Sequence, residues 1–285
     1  MKTAVITGAS GFIGAALARE LTDNGIKVLA IRRPYSAATS RLGGIDGITV
    51  FEADTSKEFS LPDGDYGTFY HTAWGGARDD FNAQYKNIGN TLNCFRAAEK
   101  AGCARFLCTG SQAEYGETSE WITENMRLCP VEAYGTCKIA AYYLTRELAR
   151  KSGMKHLWIR LFSVYGEHDN ANTLYSQLLA AFRNGNTFSL STDGEHIWNY
   201  LHETDAARAI RLLGETDVSD GIYNVASMTS RPLREYIEIL YQTMRPQADV
   251  TYGNVHSGVN MNVNTEKLRA AVGEFEKRLF PGFES

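Results

Sequence analysis

"TGASGFIG", residues 7–14, is the stretch on which the reading of the fold turns. It follows a short apolar run, "TAVIT" (3–7), and opens a pattern in which Ile13, Leu17 and Leu21 recur at helical spacing. Strand, glycine turn and helix thus stand in the order of a dinucleotide-binding βα unit. Gly8 permits the tight turn, Gly11 lets backbone approach a pyrophosphate, and Gly14 lets the helix lie close against the strand. The helix start adds free N–H groups and a positive dipole end. At its far end "DNG" supplies Gly25 as a C-cap.

Outward from that turn the rhythm repeats. "KVLAI" (27–31), "ITVFEA" (48–53), "TFYHTA" (68–73), "RFLCTG" (105–110) and "HLWIRL" (156–161) read as short strands buried on both faces. Helical stretches at 12–24, 82–101 and 132–152 alternate with them. The prediction is an α/β fold: a Rossmann-like, doubly wound parallel sheet. Residues 1–165 are expected to form the dinucleotide-binding domain, with segments near 197–211 and 221–226 returning to it. Residues 166–285, with helices near 173–184, 231–244 and 264–272, are expected to form a smaller substrate-binding lobe over the C-terminal ends of the strands.

Composition narrows the partners. Twenty-nine basic and 33 acidic residues give a net charge of −4, without a Lys/Arg run that would suit nucleic acid. No apolar run reaches the length of a membrane span. "MKTAVITGAS" runs straight into strand and turn, so no secretory signal and a cytoplasmic location are expected. The five cysteines have neither zinc nor redox CxxC spacing; reduced thiols and no metal are expected.

"YGTCK" (134–138) sets Tyr134 and Lys138 one helical turn apart on one face. A phenol with an ordinary pKa near 10 exchanges protons poorly at neutral pH unless a cation steadies its anion, and Lys138 is placed to do so. "GSQAEYG" (110–116) follows a strand and offers Ser111, a hydroxyl that can hydrogen-bond a substrate carbonyl.

The TGxxGxxG turn, Ser111, the YxxxK of residues 134–138, "RLFSVYG" (160–166) and "NYLHETDAARA" (199–209) together resemble the extended short-chain dehydrogenase/reductase family acting on nucleotide sugars. The resemblance covers most of the chain. It implies Ser111, Tyr134 and Lys138 as catalytic residues. Cofactor contacts are implied at Gly8, Ser10, Gly11, Phe12, Ile13, Gly14, Arg32, Arg33, Asp54, Thr55, Ala73, Tyr134, Lys138 and Ser163, and substrate contacts at Trp74, Gln112, His168, Tyr200 and Arg231. It also implies a homodimer, in which the helices at 82–101 and 132–152 form a four-helix bundle.

Several positions depart from family patterns. Where sugar dehydratases carry an Asp-Glu pair, this chain has Gln112 and Ala113, neither able to protonate a leaving hydroxyl. Epimerase-reductases place their cysteine at Ala113; Cys137 points off the Tyr/Lys face, and His168 and His202 lack a clear partner. Trp198 and Asn260 stand where arginines usually grip the substrate pyrophosphate, leaving Arg231 or Arg234 as substitutes.

"AIRRP" (30–34) bears on the cofactor. Arg32 takes the place of the acid that usually accepts the adenosine ribose hydroxyls, and a guanidinium there suits a 2′-phosphate. Arg33 adds a second charge or a stacking plane; a solvent-exposed pair after a strand is the plain alternative. NADP(H) is expected over NAD(H), and with it net reduction. The expected reaction is reduction of the C4 ketone of a nucleotide-linked 4-keto-6-deoxyhexose, similar to the CDP-abequose synthase type. A nucleotide-sugar 4-epimerase using the same three residues is the alternative. A reductase of a non-sugar ketone and a non-catalytic NADP-sensing protein stand behind it.

Overall fold

The computed structural model describes residues 2–34 and 40–281. Its centre is a parallel sheet. The first strands are β1 (Thr3–Thr7), β2 (Val28–Arg32), β3 (Ile48–Glu52), β4 (Tyr66–His71), β5 (Arg105–Ser111) and β6 (Lys155–Leu161). Later come β7 (Ser163–Tyr165), β8 (Phe188–Thr192), β9 (Ile197–Trp198), β10 (Tyr200–His202), β11 (Gly221–Val225), β12 (Arg231–Pro232) and β13 (Val250–Val255). Seven strands form the main sheet in the order β11-β6-β5-β4-β1-β2-β3. The order reverses between β1 and β4, which opens a crevice at their C-terminal ends, where such folds bind ligands.

The helices are α1 (Phe12–Asp23), α2 (Phe81–Lys100), α3 (Ala133–Ser152), α4 (Leu174–Arg183), α5 (Glu203–Glu215), α6 (Leu233–Met244) and α7 (Glu266–Val272). Leu17 and Leu21 of α1 pack with Ala206, Ile210 and Leu213 of α5 in the core on one face of the sheet. Cys94 and Phe95 of α2 join Ala141 and Tyr142 of α3 on the other. A Cβ on Gly14 would come within 2.1 Å of the Gly8 carbonyl oxygen, so the entry of α1 against the turn requires glycine.

The alternation reads through from the sequence, with one correction. "ITVFEA" does not form a strand buried on both faces: β3 is the sheet edge, and Val50 is 43% exposed. The chain after residue 166 builds an aromatic cluster, including Tyr175 and Phe182 of α4, Tyr200 of β10, Tyr236 of α6 and Phe280. Yet β11 runs parallel to β6 in the main sheet and α5 packs against α1 on its face, while β10 pairs parallel with β7 in a separate two-stranded sheet.

Two histidines lie inside that layer. His71 bridges the hydroxyls of Thr7 (2.7 Å) and Thr91 (3.0 Å), and His156 meets Thr145 at 2.9 Å. Burial, with a smaller push from Lys138, drives His71 from its ordinary 6.5 down to about 3. Burial, then Arg146, takes His156 to about 4. Below pH 6.5 the unfolded chain binds protons that the fold excludes. Stability present above that pH therefore falls with acidification, by about 1.4 kcal/mol per pH unit for each ring. The loss continues to about pH 4 for His156 and about pH 3 for His71. Urea unfolding at neutral and mildly acidic pH measures the slope; His156→Gln should make it shallower, and an unchanged slope contradicts the assignment.

Candidate active site

At the C-terminal end of β5, Ser111 caps a short 3₁₀ turn over Gln112–Glu114, its Oγ accepting the Ala113 N–H at 3.2 Å. Tyr134 and Lys138 occupy the first two turns of α3. The Lys138 side chain is buried; Nζ donates to the Thr109 carbonyl at 2.5 Å and sits 3.8 Å from the centre of the Trp74 ring. It lies 5.7 Å from the Tyr134 ring centre. Trp74 stands edge-on to Tyr134 at 6.2 Å.

The loop carrying Trp74 is fastened to α2 by two amides. The indole N–H donates to Gln84 Oε1 at 2.6 Å, while Gln84 Nε2 donates to the carbonyls of Gly75, Gly76 and Ala77. Asn87 Nδ2 donates to the Gly75 carbonyl and its Oδ1 accepts the Gly75 N–H. Arg78, next in the chain, places its guanidinium 4.9 Å from the Tyr134 ring centre and donates to Glu132 at 2.8 Å. Its carbonyl accepts the Tyr134 N–H at 3.0 Å.

Trp74, Arg78, Ser111, Tyr134 and Lys138 line one cleft of about 430 Å³. It runs from Phe12 and Ile13 past Trp74, Ser111, Gln112, Tyr134 and Lys138 to Ser163, Trp198 and Tyr200. A larger depression of about 690 Å³, between Tyr165, Arg183 and Arg278, contains none of the three expected catalytic side chains.

The glycine turn fits a dinucleotide. Gly11 caps α1 without any side-chain hydrogen bond, and no acid occupies the first helical turn, so that helix end is open to phosphate. A Cβ on Gly8 would meet the Ala73 backbone at 2.7 Å, which puts Ala73 hard against the turn. The Ser10 carbonyl accepts from Arg41 at 3.4 Å. Asp54 follows β3; its Oδ1 accepts from the Ser56 hydroxyl and N–H, which, with Lys57 nearby, hold its carboxyl below the usual range. Thr55 beside it is buried.

Arg32 ends β2 and Arg33 is exposed after it, but the expectation of an open arginine pair needs correction. The strand register sets Arg32 opposite Glu52 of β3, and the two side chains form an ion pair. Half of the expected positive patch is already neutralised.

Some expected substrate contacts do not reach the cleft. His168 is absent from its lining; the neighbouring Asp169 takes that place, hydrogen-bonded to the Thr173 hydroxyl and the Asn170 N–H at 2.7 Å each. Burial raises the Asp169 carboxyl. Arg231 lines a separate cavity of about 160 Å³ with Glu276 and Tyr236, and donates to Glu235 at 3.3 Å. Arg234 is committed to the Asp193 carbonyl, Glu195 and the Tyr252 ring. His202 accepts the Thr204 N–H as the cap of α5, and Cys137 is buried in α3. Sequence reasoning missed Arg78, Gln84 and Arg41, for which spacing gives no signal. It also missed Glu114, although "SQAE" (111–114) carries the S-x-x-E signature of a capping box.

A doubly wound sheet with a phosphate-ready glycine turn and a Ser, Tyr and Lys in one cleft defines an extended short-chain dehydrogenase/reductase. The chain belongs to the NAD dependent epimerase/dehydratase family, whose model matches residues 4–226. An uncharacterized UDP-glucose epimerase, YtcB of Bacillus subtilis (strain 168), is 23% identical over 74% of this chain and 74% of its own. The dTDP-6-deoxy-L-talose 4-dehydrogenase (NAD(+)) of Aggregatibacter actinomycetemcomitans is 23% identical over 82% and 87%. Among solved structures, UDP-glucuronic acid 4-epimerase from Bacillus cereus, in complex with UDP-glucuronic acid and NAD, superposes with a TM-score of 0.83. It is 20% identical over 98% of this chain and 95% of that one. These similarities carry the family and the fold, but not the CDP-abequose synthase type.

Proposed function

We propose that the protein is a nucleotide-sugar 4-epimerase working with a retained nicotinamide dinucleotide. The observation that carries this reading is the cleft's proton chemistry. Tyr134 has Lys138 and Ser111 beside it, while Gln112 and Ala113 hold no acid or base, and the Asp169 carboxylate is taken up by Thr173 and Asn170. One proton-transfer group serves one carbon, interconverting its alcohol and ketone.

A dinucleotide held by its pyrophosphate at the turn of residues 7–14 would supply the hydride acceptor and donor through its nicotinamide. Tyr134 takes the proton of the C4 hydroxyl and later returns one to the C4 oxygen. Lys138 holds positive charge near the phenol, and Ser111 donates to the developing ketone. If the sugar turns over in the cleft before hydride returns, C4 inverts. The walls it turns against, Tyr175, Trp198 and Tyr200, are uncharged rings. The Arg32–Glu52 pair supports NAD over NADP, because it leaves a carboxylate at the adenosine end.

The test is incubation of the protein and NAD with UDP-glucose, UDP-glucuronic acid and a dTDP-hexose. The expected result is a C4 epimer by proton NMR with no net change in nicotinamide absorbance. Stoichiometric NADPH oxidation by a 4-keto-6-deoxyhexose, without epimer formation, overturns it.

That outcome belongs to a second reading, NADPH-dependent reduction of a nucleotide-linked 4-keto-6-deoxyhexose. It is favoured by Arg33 beside Arg32 and by Arg41 at the same end of the turn. On that reading Arg32→Asp with Arg33→Asn weakens NADPH at least about tenfold more than NADH; equal losses in fluorescence titrations remove it. A homodimer through α2 and α3 is part of the proposal. Phe81 and Tyr85 of α2, and Tyr143 and Leu144 of α3, are exposed. Among the described residues no helix is long and apolar enough to cross a membrane.

A further inference from the structure

Glu114 is a carboxylate with no exposed surface, three residues beyond Ser111. A charge in that position is costly unless every lone pair finds a donor. Oε1 accepts the Ser111 N–H and the Trp158 indole N–H, each at 2.9 Å, and Oε2 accepts from Arg160 Nε at 2.7 Å. Arg160, equally buried, donates onward to the Tyr115 hydroxyl at 2.9 Å, which donates to Asn224 at 2.6 Å. The approach is close: a Cβ on Gly110 would come within 2.4 Å of Glu114 Oε1.

Stability alone does not call for this arrangement, since well-packed apolar residues often replace a buried ion pair at no cost. What the charge achieves is local. Ser111 is held from both ends of its own cap: its N–H is given to Glu114, and its Oγ accepts the Ala113 N–H. With the oxygen engaged from below, the hydroxyl has its single proton left to donate into the cleft.

We propose that Glu114 is a positioning residue for this reaction, its buried carboxylate locking the turn that aims the Ser111 hydroxyl at the substrate oxygen. The inference rests on the role given to Ser111 above.

A double-mutant cycle tests it on the NAD-loaded protein, with UDP-glucose and UDP-glucuronic acid as probes. Glu114→Val should lower kcat roughly 10- to 100-fold and leave KM within about twofold. In a Ser111→Ala background the same change should cost less than about threefold, because the hydroxyl it aims is gone. An undiminished loss in that background makes Glu114 a scaffold residue and overturns the proposal. If Glu114→Val does not fold, Glu114→Gln decides by the same cycle, with a smaller loss that must also vanish beside Ser111→Ala.

Amide exchange gives a readout that needs no substrate. Glu114→Val should lose protection at residues 110–115 while the sheet keeps its own, and Glu114→Gln should restore it; unchanged exchange overturns the proposal. Failure of the wider reading has a different signature. A Ser111→Ala protein as active as wild type removes the role of Ser111, and turnover of neither probe leaves the exchange result to decide.

Discussion

Tyr134→Phe is expected to lower kcat by about 10³-fold, within the range that a positioned acid/base supplies, while dinucleotide affinity stays within about twofold. The ring is held by contacts the hydroxyl does not make. Its backbone N–H is bound to the Arg78 carbonyl, Trp74 stands against one edge, and the Arg78 guanidinium covers it at 4.9 Å. Phenylalanine keeps all of these. The substitution removes only the hydroxyl, and Lys138 remains anchored to Thr109 and Trp74. Steady-state turnover with calorimetry of NAD binding separates the two effects. Activity within tenfold of wild type would place proton transfer elsewhere, with Asp169 the remaining carboxyl in the cleft.

Arg160→Met should have the largest effect on stability, a loss of about 3–5 kcal/mol. It strands the Glu114 carboxylate without its cation in a site with no water-exposed surface. A fall in Tm on the order of 10 °C follows for a chain of this size. The double change Arg160→Met with Glu114→Val removes both charges and should regain most of the stability, though not the turnover, because the Ser111 turn is then unlocked. Urea unfolding of the two proteins is the comparison. A double variant no more stable than the single one shows that packing around Arg160, rather than charge, holds this region.

Much of this architecture is written locally. The βα rhythm and the glycine turn depend on neighbours in the chain, so pattern and turn chemistry suffice to read them. That Ser111, Tyr134 and Lys138 share one cleft was expected from the YxxxK spacing and the family resemblance around Ser111. What escaped depends on contacts between distant segments. The Arg32–Glu52 pair is set by strand register, twenty residues apart, and it changed the expectation drawn from "AIRRP". His168 was expected in the cleft and Asp169 found there, since a one-residue offset in a loop has no periodicity to fix it. Arg231 faces another cavity because it sits in β12, whose antiparallel pairing with Trp198 of β9 is a contact between distant segments. β3 looked like an interior strand because alternation cannot say which strand ends a sheet.

The fastening of residues 74–78 to α2 has a consequence for anyone altering this protein. Gln84 and Asn87 face away from solvent on a helix whose outer side carries Phe81 and Tyr85. Through them the Trp74 wall beside Lys138 is hydrogen-bonded to the outer helix. A library restricted to cleft-lining positions would leave out two amides on which the placement of Trp74 depends. A library that varied the buried face of α2 for packing would be altering the candidate site from behind.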